Sequence, residues 1–390
     1  MLAIIYWLLM DLVIGGYAMT GVTPGGLWTA LLTVGIFATF FWVACLFPPQ
    51  QMPGFLHRLA HMELPPETTF NAILIFFSLG MFNFVYACGF DITLMFTSLM
   101  GNRFSAPWSR GHVGGWDAFR DHLQYFGYIL PTLTTVLGIQ RRWSHPHTLV
   151  AIFLSFVMVL FLSHSGSRRI IGVTIGAALL LWVLALIELR VRHILIGGCV
   201  VGLTLLFMQF VLEYRSSGVR RLLEEGEIKT QYDYILVDDN ILRLAQTLDF
   251  IPEHHPYVYE QRLFYTLARP IPRVLWPDKP LTPGFDLSRA IGFQGASLSS
   301  SVIADWYVMG GFPIVVLGGL FYGWLAGIWS QLLLVRHNLV GLIIYCLGAM
   351  AIFASIRSID ELVLQSYVLL AWFFVANLLL GLRRASPAAS

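Results

Sequence analysis

Charge is what this chain has least of. Only 12% of its 390 residues are Asp, Glu, Lys or Arg, against roughly 25% in an average soluble domain. Hydrophobic residues make up 57% and mean hydropathy is +0.71, so a water-soluble fold is excluded and a bilayer must solvate most of the chain. Cysteine is scarce too. Cys45, Cys88, Cys199 and Cys346 each lie in an apolar run, with no C-x-x-C pair, which speaks against a disulfide or zinc framework and for free buried thiols. P-loop, G-x-G-x-x-G, H-E-x-x-H and G-x-S-x-G patterns are missing, so the usual signals of nucleotide binding, zinc proteolysis and α/β-hydrolase chemistry are absent.

What is there is apolar length. A spanning helix needs about 20 apolar residues. Ten segments qualify or nearly so: about 2–18, 25–47, 69–90, 122–139, 148–164, 170–188, 194–212, 302–332, 338–356 and 363–382. The shorter run 91–100 reads as a re-entrant or interfacial piece. The first segment lacks a basic leader and is expected to remain as a span. The expected fold is an all-α polytopic membrane protein, one integral domain over 1–390, with one large loop at 213–301.

Short loops rich in Lys and Arg stay cytoplasmic. Arg141 and Arg142, Arg190 and Arg192, Arg336, and Arg383 and Arg384 all fall on one face of a ten-span chain. Both termini then lie inside, and loop 213–301 lies outside. So does the tight hairpin that carries Arg168 and Arg169. A long loop escapes the charge rule, but a two-span hairpin bearing Arg-Arg does not. Something must hold that pair.

Several groups are candidates for chemistry. Ser165-Gly-Ser-Arg-Arg169 offers two guanidinium forks that match phosphate oxygens in pairs; snorkelling to lipid headgroups is the competing reading. In the long loop, Arg215, Arg269, Arg273 and Lys279 form a second basic set, which neighbouring acids could equally balance. Arg269-Pro-Ile-Pro-Arg-Val-Leu-Trp-Pro-Asp-Lys-Pro280 carries four prolines and predicts a rigid, non-helical strap. A helix is expected from Asp239, where Ile241, Leu242, Leu244, Ala245 and Leu248 share an apolar face. Asp305, at the mouth of the eighth segment, is a candidate general base or a helix-capping or salt-bridging acid. His254 and His255 are alternatives, since imidazole titrates near neutrality. Tyr257, Tyr259, Trp276, Trp306 and Tyr307 are candidates for sugar stacking or interface anchoring. Asp11 sits within the first segment. His57 and His61 have i,i+4 spacing but no third ligand, and no metal is expected.

The Ser-Gly-Ser-Arg-Arg169 hairpin, the Pro-Arg-Val-Leu-Trp-Pro-Asp-Lys-Pro280 strap and the re-entry Ala304-Asp-Trp-Tyr-Val-Met-Gly-Gly-Phe312 occur in that order over about residues 150–325. In this the chain resembles the O-antigen polymerase (Wzy) class of oligosaccharide repeat-unit polymerases, related to the O-antigen ligases. The resemblance implies a multi-span, GT-C-like glycosyltransferase of the bacterial cytoplasmic membrane. Its activity would be metal-independent and inverting, on an undecaprenyl-diphosphate-linked oligosaccharide, with no cofactor and no nucleic acid. It implies Arg168 as the leading diphosphate ligand, joined by Arg269 or Arg273, and a flippase and a chain-length regulator as pathway partners. The ligases place a histidine near the outer end of a late span. No histidine lies between Leu298 and Tyr307 here, which counts against ligase identity and makes Asp305 the first candidate base. A transporter or flippase for anionic lipid-linked glycans is the rival class, but it predicts charges deep in several spans and two related halves.

Overall fold

The computed structural model describes residues 21–47, 53–60, 62–109, 116–164, 168–214, 218, 239–292, 298, 300–335 and 338–385. The first apolar segment, with Asp11, lies outside them. The described residues form helices and connections, with no strand among them. In chain order the helices are α1 (Pro24–Leu46), α2 (Gly54–Ala60), α3 (Pro66–Ala87), α4 (Ile92–Leu99), α5 (Asp117–Leu123) and, after a 3-10 turn, α6 (Leu130–Gln140). Next come α7 (Pro146–Ser163), α8 (Arg168–Ala185), α9 (Val191–Tyr214), α10 (Asn240–Phe250), α11 (Glu260–Ala268) and the single turn α12 (Leu287–Ala290). The series ends with α13 (Ser301–Gly310), α14 (Phe312–Ser330), α15 (Leu339–Ser355) and α16 (Ile359–Ala385).

Six of these helices are long and apolar enough to cross a membrane: α1, α3, α7, α9, α14 with its 3-10 tail, and α16. The apolar helices α8 and α15 are shorter. Helix α9 makes the need for lipid plain. Not one residue of Val191–Val211 is buried, and a helix this apolar with protein covering it only in part requires hydrocarbon around the rest. The chain is therefore a multi-pass membrane protein by its helices. The fourth expected segment is a 3-10 stretch (Gln124–Ile129) followed by the short α6. The eighth is two helices rather than one. Gly311 sits between them at φ 73, a left-handed conformation that glycine adopts without strain, and Pro313 in the first turn of α14 starts the new helix.

The chain folds as two compact units. The first contains α1, α10 to α14 and residues 351–363. Its core joins Val34 and Phe37 of α1, Leu244 and Ala245 of α10, Val302 and Ala304 of α13, and Val315 and Tyr322 of α14. Gly319 lets α14 press on α1, since a Cβ there would stand 2.6 Å from the Phe37 carbonyl oxygen. With Gly323 it forms a small-xxx-small stripe of the kind that brings membrane helices close. The second unit contains α2 to α9, residues 332–350 and the chain from 364. Phe76, Leu133, Met158 and Trp372 are buried there, and Thr134 and Ser155 share a buried hydroxyl hydrogen bond of 2.7 Å. The loop expected at 213–301 is not a separate body. From residue 239 onward its described residues belong to the first unit.

Candidate functional site

Helix α11 is polar on its inner side. Arg262, Thr266 and Arg269 follow at i, i+4 and i+7, which places them on one face. Arg262 is 5% exposed. Its Nε and Nη2 lie 3.0 and 2.9 Å from Asp305 Oδ1. Its Nη1 donates to Asp360 Oδ1 at 3.0 Å, and Nη2 to Ser358 Oγ at 3.1 Å. Asp360 also accepts from Thr266 Oγ1 at 2.6 Å and, on Oδ2, from Arg269 Nη1 at 2.7 Å. Asp305 Oδ2 accepts the Ile359 N–H at 2.9 Å. Two arginines and two aspartates thus tie α11, α13 and the start of α16 together. Burial opposes the charge on Arg262, but Asp305 and Asp360 outweigh it and hold the guanidinium above its ordinary range. Burial pushes the Asp305 carboxyl up, against the pull of Arg262.

The strap begins where α11 ends. Prolines 270, 272, 277 and 280 leave it non-helical, as their fixed φ and missing donors require. It turns tightly, with Leu275 and Trp276 N–H groups both donating to the Pro272 carbonyl, at 3.0 and 3.2 Å. Lys279 then pins it to its own origin. The buried ammonium donates to the carbonyls of Ile271 at 2.6 Å and Arg269 at 3.2 Å. Burial, then Arg273 and Arg269, push its pKa down. Arg273 is half-buried and donates to the Pro277 carbonyl at 3.3 Å. Neither Arg273 nor Lys279 makes an ion pair among the described residues, and the carboxylate on Arg269 is shared with Arg262. The strap therefore carries surplus positive charge on a fixed backbone, which is what an anion site requires.

The other expected site residues are placed as follows. Arg168 and Arg169 open α8, whose first turn holds no acid. They belong to the second unit, whereas Arg269, Arg273, Lys279 and Asp305 belong to the first. Arg215 and Ser165 to Ser167 lie outside the described residues. Trp276 is half-buried with its ring edge-on to Phe264, centroids 5.4 Å apart. Tyr257 is half-buried beside Tyr307 and Tyr259.

Two of the candidates are engaged within the protein. Tyr307 is a core residue, 6% exposed and packed against Tyr257 and Phe312, so it offers no open face to a sugar. Burial pushes its phenol up to about 12. Asp305 is wired as an anchor. Both its oxygens are engaged, and taking a proton from a substrate would mean turning away from Arg262. His255 is differently placed. Its Nδ1 lies 2.7 Å from the Pro256 carbonyl, which can only accept, so Nδ1 is the donor of that bond.

Sequence reasoning passed over Arg262 and Asp360. The signal was available in the topology. The short connection 357–362 falls on the same face as 213–301 in a ten-span chain, so its Asp360 and Glu361 were candidate partners for the loop arginines.

Residues 239–359 match a family described as Domain of unknown function (DUF8712). That stretch contains Arg262, Arg269, Arg273, Lys279, Asp305 and Ser358, and stops one residue short of Asp360. No curated protein and no solved structure matches the chain.

Proposed function

We propose that this protein is a membrane glycosyltransferase that polymerises undecaprenyl-diphosphate-linked oligosaccharide units on the outer face of the bacterial cytoplasmic membrane. The observation that supports this reading is the strap, where Arg273 and Lys279 lack carboxylate partners among the described residues and Arg269 is oriented by Asp360. In the proposed reaction a sugar hydroxyl of one unit attacks the anomeric carbon of another. The bond from that carbon to the diphosphate oxygen breaks, and the lipid diphosphate leaves with an added negative charge. Preorganised cations favour such a transition state because they need no rearrangement when the charge appears. Arg269, Arg273 and Lys279 act on it in this reading, and Arg168, Arg169 and Arg215 are further candidates for binding phosphate oxygens. His255 Nε2 takes the hydroxyl proton, a step worth about 10²–10⁴-fold, and Asp305 positions Arg262. A GT-C-like arrangement of about ten spans, with both termini cytoplasmic, belongs to the same proposal.

The test is polymer length in vivo for Arg168→Lys and Arg273→Lys at normal protein abundance. Paired donation to phosphate oxygens requires the guanidinium fork, so lysine should fail although charge is kept. Full-length polymer from both variants would overturn the reading.

A further inference from the structure

The outward side of α11 is the reverse of its inner side. Arg262 and Thr266 are buried in the ion network, while Leu263, Phe264 and Leu267 face away from the protein. Leu267 is 58% exposed. A two-turn helix with its ions inside and its apolar residues outside has inverted the arrangement expected next to water. The same surface continues along the strap through Val274, Leu275 and Trp276, with Leu275 67% exposed. Scattered apolar side chains need no explanation, but a continuous run of them marks a contact surface.

We infer that α11 and the strap are seated in a phospholipid bilayer, with this apolar surface in the headgroup–acyl boundary. Three observations select a bilayer. The buried Arg262 network fixes the rotation of α11, so the apolar side cannot turn inward without breaking the contacts to Asp305 and Asp360. Arg273, half-buried and without an ion pair among the described residues, lies one residue from the exposed Val274, where a lipid phosphate would complement it. Trp276 adds an indole, the side chain enriched at that depth. The six apolar helices already place this chain in a membrane. Loop 213–301 is therefore in part an interfacial element rather than a water-filled excursion. This holds whether or not the protein transfers sugars, and it is tested without an activity measurement.

The experiment uses the full chain in nanodiscs of phosphatidylethanolamine and phosphatidylglycerol at 3:1. A benzophenone amino acid is placed at Leu267 or at Leu275, with Gln261 and Glu253, both exposed, as polar controls. Melting temperature and gel-filtration profile select variants that fold. After illumination, mass spectrometry should find phospholipid adducts at both leucine positions at least 5-fold above the controls. Adduct yields equal to the controls would overturn the inference. So would crosslinks joining two copies of the chain in place of lipid adducts, because a second copy would then be the occupant.

Discussion

Arg262 and Arg273 are eleven positions apart and stand in opposite situations. The first spends its donors on Asp305, Asp360, Ser358 and Thr266; the second bonds a carbonyl and retains donors for a ligand. Their substitutions should separate accordingly. Asp360→Ala strips the carboxylate from two arginines, and breaking a buried pair costs about 3–5 kcal/mol. We expect a clear fall in melting temperature, with activity lost as a consequence. Arg273→Gln should leave the melting temperature within error and abolish polymerisation. Lys279 supplies a pH signature. Its folded pKa lies below the ordinary lysine range, so the unfolded chain binds that proton more tightly. Stability should rise with pH between the lowered value and the ordinary one, because unfolding takes up a proton there. Lys279→Met should flatten this rise in a melting series, whereas an unchanged slope would mean that another group titrates. Such roles were only partly legible. Arg269, Arg273 and Lys279 stood out because prolines flank them. Arg262 looked like any loop arginine, since its partners lie 43 and 98 residues away.

At the scale of elements, local chemistry was the best guide. Helix α10 starts beside Asp239 and buries Ile241, Leu242, Leu244, Ala245 and Leu248, the apolar face that the 3.6-residue spacing predicts. The strap is non-helical for the reason its prolines give. The eighth segment was read as one helix because hydropathy is continuous across Gly310-Gly311-Phe312-Pro313, whereas the break is a matter of backbone dihedral and leaves hydropathy unchanged. Close helix approach was equally hidden. Gly319 acquires meaning only when the Phe37 carbonyl is seen against it. Gly319→Val should force α14 from α1 and cost about 1–3 kcal/mol, as overpacking does. A calorimetric or dye-based melt checks this. An unchanged melting temperature would show that the two helices pack less tightly than described.

For the molecule as a whole, composition dictated membrane residence, and the six long apolar helices agree with it. Composition could not reveal that the late loop folds into one unit with α1 and α14, because that depends on apolar packing between distant segments. In the proposed function, positive charge on a proline-locked strap lets a lipid diphosphate leave without metal or nucleotide. Its most direct test is purified protein in liposomes with undecaprenyl-diphosphate-linked oligosaccharide, excess chelator and no nucleotide. The account predicts a ladder of lengthened glycan released with undecaprenyl diphosphate in step, and neither product from Arg273→Gln. Glycan that stays at one unit with the folded wild-type protein, with or without added divalent metal, would contradict it.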